Sequence, residues 1–262
     1  MMRAQRGTVA ALLLAAVVAG CTEVSTDPQV PVSLQFDSLP SLAVVVGDTM
    51  RGIDLQPARI PVKVFDGAGG TVSDSLVRLI GIDTQSVRSF TIIGGQRLVG
   101  QTENASVRIV AQAGALQSQT QTFAVVPRPT NIGIGDTTTD SIVYDFTDST
   151  TRFRDITATL FRQVPDSAVR FISGLRVRFR VASFSTAILD SVRLVSPGNG
   201  RSVTSAIVTS GLATIRVKAY PKAGATGTGT IVVEATSTVL GVPVPGSPLS
   251  LPVKLSPFSI AP

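Results

Sequence analysis

The stretch "GLRVRFRVASF", Gly174 to Phe184, sets Arg176, Arg178 and Arg180 in alternation with Val177, Phe179 and Val181. Successive side chains of a β-strand point to opposite faces. A repeat of two therefore sends the apolar set into a core and gathers the three guanidinium groups on the other face. A helical repeat of 3.6 would scatter both sets around the axis. The stretch reads as one strand of a half-buried sheet.

The same parity recurs on either side of it. "VSLQF" places Val32, Leu34 and Phe36 on one face, "IPVKV" does so with Ile60, Val62 and Val64, and "ASVRIVAQA" with Ala105, Val107, Ile109 and Ala111. "DGAGG", Asp66 to Gly70, supplies hairpin-turn chemistry between two such runs, and "QTFAVVP" closes the series at Pro127. Beyond "PRPTN", Pro127 to Asn131, a second series follows: "DITATLF" from Asp155, the arginine strand, "VTSAIVTSGLATIRVKA" from Val203, "GTIVVEATS" from Gly229, and "LSLPVKL" after a "PGSP" turn. Prolines in the intervening segment deny ladder hydrogen bonds, so strands do not run through it. Glutamate occurs only at Glu23, Glu103 and Glu234, which leaves helices without their usual surface residues. The expected fold is all-β: two β-sandwich domains, residues 31–127 and 128–262, in tandem.

Composition removes many chemistries. The chain of 262 residues has no histidine and no tryptophan. It therefore lacks the ordinary general base near neutral pH and the imidazole ligand of transition metals. A histidine-free hydrolase built on serine and lysine is the alternative. However, no serine precedes Lys63, Lys218, Lys222 or Lys254 at a recognisable spacing. The expectation is no enzyme, no cofactor and no metal. Asp136, Asp140, Asp145 and Asp148 offer calcium-type oxygen ligands, but their spacing is not that of an EF-hand loop, and an acidic strand with its turns is preferred. With tyrosine only at Tyr144 and Tyr220, there is little material for an aromatic sugar platform; Phe36, Phe65 and Phe179 fall in the apolar sets and are assigned to the core. The excess of 23 Lys and Arg over 17 Asp and Glu is modest, and no nucleic-acid partner is expected.

The single cysteine, Cys21, ends the first segment. Arg3 and Arg6 precede the apolar run "VAALLLAAVVA", Val9 to Ala19, which is too short to span a bilayer and has the plan of a secretory signal over residues 1–20. "VAGC", Val18 to Cys21, resembles a bacterial lipobox. That resemblance implies cleavage before Cys21, a diacylglyceryl thioether on its sulfur and acylation, such as by palmitate, of the new amine, so that the protein is held to the membrane by lipid. Thr22 stands where an aspartate would imply inner-membrane retention. A lipoprotein of the cell envelope is expected, on the outer membrane if the source is Gram-negative. "TEVSTDPQVP", Thr22 to Pro31, is polar and proline-bearing, and residues 21–30 form the lipidated cysteine and an extended tether.

Residues 30–127 resemble the bacterial immunoglobulin-like domains of group 2, on "VVGDT" (Val45 to Thr49), "VKVFDGAGGTV" (Val62 to Val72), "LVG" (Leu98 to Gly100) and "ASVRIVAQAG" (Ala105 to Gly114). Leu79 stands where such domains often carry tryptophan. The second unit resembles the invasin and intimin type, with Gly211-Leu212-Ala213 opening a strand after a Thr-bearing turn. These resemblances imply sandwich modules and no chemistry; with the lipobox and the missing histidine, the expected role is structural, spacer or adhesive, with an envelope polysaccharide or protein as the partner to consider.

Charge is uneven in the second unit. Residues 152–180 carry seven arginines against Asp155 and Asp166, a net +5, whereas residues 129–151 carry four aspartates and no base. Arg176, Arg178 and Arg180 could grip an anionic polysaccharide through bidentate contacts. The preferred reading is that the acidic and basic strands pair and cancel that field.

Overall fold

A computed structural model describes residues 30–82, 88–135, 141–144, 152–165 and 168–257. The signal expected over residues 1–20, Cys21, the tether up to residue 29, and Asp136, Asp140, Asp145 and Asp148 lie outside them.

The chain is all-β, and its sheets fall into two groups. In the N-terminal group, β1 (Pro31–Phe36) pairs with β3 (Val62–Asp66), which turns back into β4 (Thr71–Val72). The "DGAGG" stretch makes that turn. Gly69 adopts φ +83°, and Asp66 Oδ1 accepts hydrogen bonds from the Ala68 and Gly70 amides at 2.9 and 2.8 Å. The second sheet runs β2 (Ala43–Val45), β10 (Gln121–Val126), β8 (Ala105–Ala113), β5 (Arg78–Gly81), with β9 (Leu116–Gln117) folded onto β8. A hairpin of β6 (Phe90–Ile93) and β7 (Arg97–Gly100) completes the group.

The C-terminal group is two facing sheets. One runs β11 (Asn131–Ile134), β13 (Arg152–Gln163), β18 (Ala213–Pro221), β16 (Leu189–Val195), with β14 (Val169–Phe171) alongside β13. The other runs β12 (Ser141–Tyr144), β22 (Leu249–Pro257), β19 (Gly229–Thr236), β15 (Arg176–Phe184), β17 (Ser205–Ile207), and a short hairpin joins β20 (Thr238–Val239) to β21 (Val242–Pro243). Strand orders of this kind define an immunoglobulin-like β-sandwich. In each group one early strand crosses to the far sheet and lies parallel to the last strand: β2 on β10, and β12 on β22. The segment "SIVY" is thus an added strand, not a loop.

Parity in the sequence reappears as burial. Val177 and Phe179 are buried under the second sandwich with Ile156, Leu160, Ile215, Val217, Ile231 and Val253. Leu34, Phe36, Val62, Val64, Val107 and Ile109 fill the first, and Leu79 is buried with them. Each fully buried aliphatic or aromatic side chain stabilises its sandwich by about 1.5–3 kcal/mol.

β2 belongs to both cores. Val44 packs with the N-terminal core, whereas Ala43 and Val45, on the opposite face, pack with the C-terminal one. The same segment is fastened by main-chain bonds: the Gly174 carbonyl accepts from the Leu42 amide (2.9 Å), the Ala43 amide (3.1 Å) and Ser41 Oγ (2.5 Å). A second link forms around Asp48, only 4% exposed. Its carboxylate takes two hydrogen bonds from Arg51, at 2.8 Å each, and one from the Leu240 amide at 2.8 Å in the turn between β20 and β21. On the far side, Arg162 reaches Glu103 at 3.0 Å.

Gly174 has φ +84°, and a Cβ there would stand 2.6 Å from Ala43 Cβ. Gly174→Ala is expected to lower unfolding free energy by about 2–4 kcal/mol, from left-handed backbone strain plus overpacking. Urea denaturation of the two proteins measures the difference; a loss below about 0.5 kcal/mol would contradict the tight contact.

Candidate functional site on the arginine-bearing strand

β15 presents Arg176, Arg178 and Arg180 on one face, as the alternation requires, but their surroundings differ. Arg176 is partly buried at the junction. Its Nε donates to the Pro40 carbonyl at 2.7 Å and its Nη1 to Ser205 Oγ at 2.9 Å. Loss of water around this guanidinium lowers its pKa from the ordinary arginine value. Arg180 lies opposite Glu234 on β19 and is neutralised by it, with Nη2 2.6 Å from Oε2. Arg178, between them in register, is exposed and forms no ion pair among the described residues.

The strand within the acidic segment does not neighbour the arginine strand. β12 pairs with β22, and two strands, β22 and β19, separate it from β15. The +5 segment is itself divided, because β13 and β14 lie in one sheet and β15 in the other. Strand crossing between sheets is the reason: residues adjacent in sequence are dealt to opposite faces of the sandwich. Cancellation comes from other partners: Glu234 for Arg180, Asp155 for Arg216 at 2.6 and 2.9 Å, and Glu103 for Arg162.

Arg176 and Arg178 line a groove of about 550 Å³ with Leu39, Pro40, Ile53 and Asp54. Arg178 can offer a bidentate contact to one carboxylate, sulfate or phosphate there. Arg176 is engaged in fixing the junction, and Asp54 opposes an anion at the rim. Phe36 and Phe179 are buried, as the alternation indicates, whereas Phe65, out of phase with Val62 and Val64, is half-buried and belongs to neither core. Phe153 and Phe171 are instead exposed, at 52% and 64%. The signal for Phe153 stands in "RFRDITATL", where it shares parity with Asp155 and Thr157, not with the buried Ile156, Ala158 and Leu160.

No protein-family model matches the chain, and no curated protein matches it. Solved structures similar to it are β-domain proteins. The surface-layer protein SbsC is 12% identical with a TM-score of 0.29, over 88% of this chain and 28% of that one. The adhesin InvE of Yersinia pseudotuberculosis is 11% identical with a TM-score of 0.32, over 85% of this chain and 58% of that one. An endo-fucoidan hydrolase of glycoside hydrolase family 107 is 11% identical with a TM-score of 0.33, over 88% of this chain and 35% of that one. The chain thus spans less than two thirds of the length of each. These likenesses concern the β-domain fold and carry no argument about chemistry. They do correct one expectation. The chain was expected not to be an enzyme, and glycoside hydrolases stand among the similar structures beside the adhesin and the surface-layer protein. A sandwich is a scaffold on which either kind of site can be built, so the non-enzyme expectation is withdrawn.

The three arginines should respond differently to replacement by glutamine. Arg176→Gln is expected to lower unfolding free energy by about 1–3 kcal/mol through lost charged hydrogen bonds, Arg180→Gln by less than about 1, and Arg178→Gln by no more than about 0.5. Chemical denaturation at pH 7 ranks them. Equal losses at all three positions would refute the division of roles.

Proposed function

We propose that this chain is a lipid-anchored protein of the bacterial envelope whose two immunoglobulin-like sandwiches, a group 2-like module over residues 31–127 and an invasin-like module over 128–262, act as a stiff spacer or adhesive stalk. The observation that carries this reading is the junction. A strand packed into both cores, three hydrogen bonds onto one carbonyl and a buried Asp48–Arg51 pair favour a single fixed orientation over a loose linkage between modules. Fixed orientation is useful in a protein that must hold a surface at a set distance from its anchor. The segment Pro127 to Asn131 is itself bound down, with the Thr130 amide donating to the Phe161 carbonyl at 2.9 Å and the Gln163 amide to Thr130 Oγ1 at 2.9 Å.

The anchor is Cys21, by way of "VAGC", with residues 22–30 as tether. One acyl chain holds a protein marginally, and two or more hold it stably. Expressed in a bacterial host, the chain is expected to yield a mature form that begins at an acylated Cys21 and partitions into detergent. Cys21→Ser should move it to the aqueous phase with its unfolding midpoint unchanged. A mature N-terminus at another residue, by mass spectrometry, would refute the anchor.

A further inference from the structure

The outer face of the β11-β13-β18-β16 sheet carries an arrangement that stability alone does not explain. Arg193 on β16 and Lys218 on β18 occupy directly facing positions. Like charges so placed repel and destabilise a sheet. Neither forms an ion pair among the described residues; both lean on the Tyr220 ring, with the Arg193 guanidinium 5.3 Å and the Lys218 ammonium 6.0 Å from its centroid. On the other flank, Lys218 faces Phe153 of β13. The acid available on this face, Asp155, is taken bidentately by Arg216, whose guanidinium in turn lies 4.0 Å over the Phe153 ring and fixes it. That hydrogen bonding raises the pKa of Arg216. Asp190, exposed on the same edge strand, makes no ion pair among the described residues.

We propose that this face binds an acidic polysaccharide: a carboxylate or sulfate seats between Arg193 and Lys218, and the apolar faces of neighbouring sugar rings lie on Phe153 and Tyr220. The anion removes the repulsion between the two cations, and the two aromatic rings stand on β13 and β18, where an extended chain can pass across β16, β18 and β13. A bilayer is a poorer fit, because its insertion needs apolar groups projecting from a rim and these lie flat on a face. Duplex nucleic acid is a poorer fit as well, because two uncompensated cations give little of the phosphate attraction on which such binding rests. The site is separate from the groove at Arg178, and it does not depend on the lipid anchor.

The test uses the whole chain with polygalacturonate, dextran sulfate and neutral dextran, read by calorimetry at low salt. The expected result is binding to the two acidic polymers and not to dextran. Arg193→Gln and Lys218→Gln should each weaken binding about tenfold. Phe153→Ala should weaken it severalfold, and Arg97→Gln, on the other sandwich, should leave it unchanged. In the absence of polymer, Arg193→Gln should also raise the thermal midpoint, since the cross-strand repulsion is gone; a purely structural role for these cations would lower it. The proposal is overturned if the wild-type chain binds neither acidic polymer, if dextran binds as well as they do, if Arg178→Gln and not Arg193→Gln removes binding, or if duplex DNA displaces both polymers.

Discussion

A strand with two buried faces governs this molecule. A strand at a protein surface normally keeps one face for water. Ala43 to Val45 has no such face, since Val44 is spent on one core and Ala43 and Val45 on the other. Side chains on both faces must then be apolar and small enough to be enclosed, and the backbone they ride on must be placed by something other than solvent exposure. The Gly174 carbonyl does this placing: it takes three donors from residues 41–43 while its amide is held by the Val208 carbonyl at 2.7 Å. A residue with a side chain could not stand there, because the space is filled by Ala43 and the backbone angle is left-handed. The direction in which β15 leaves Gly174, and with it the aim of Arg176 at Pro40, follows from that one fit.

The charge pattern follows from the way the chain alternates between sheets. Sequence neighbours in an immunoglobulin-like sandwich are often on opposite walls, so a run of seven arginines in the sequence does not produce one basic patch. It is broken into separate small problems: within the run Glu234 pairs with Arg180 and Glu103 with Arg162, while Asp155 is taken by Arg216 from outside it. Two places without an ion pair among the described residues stand out, Arg178 beside the junction and the facing pair Arg193 and Lys218. The latter are not a run in sequence at all and meet only because β16 and β18 are paired.

Much of the fold was open to reading in the linear chain. Alternation at Val177, Phe179 and Val181, at Val107 and Ile109, and at Val62 and Val64 named strands and their buried faces, since parity alone decides which side faces a core. Asp66 to Gly70 named a hairpin. Other features were not legible, for physical reasons. β2 is three residues long and apolar on every side, so it has no parity to detect. The pairing of β12 with β22 joins residues more than a hundred positions apart, and no local pattern encodes it. For the arginines, the shared face was readable, but the neighbours that engage Arg176 and Arg180 come from Pro40, Ser205 and Glu234, each brought in by the fold. The exposure of Phe153 was legible by parity as well, since it stands out of phase with Ile156, Ala158 and Leu160.

The parallel pairings of β2 with β10 and of β12 with β22 have a mechanical meaning. In each, an early strand lies beside the last strand and runs in the same direction. A pull that draws the two ends of such a unit apart acts along both strands in opposite senses. It therefore loads their connecting hydrogen bonds in shear, all at once, and does not peel them open one after another. Structures that peel yield at small tension; those sheared along a row resist until the row gives way together. The arrangement makes each sandwich a clamp against stretching, aligned with the path that a load takes from one terminus to the other.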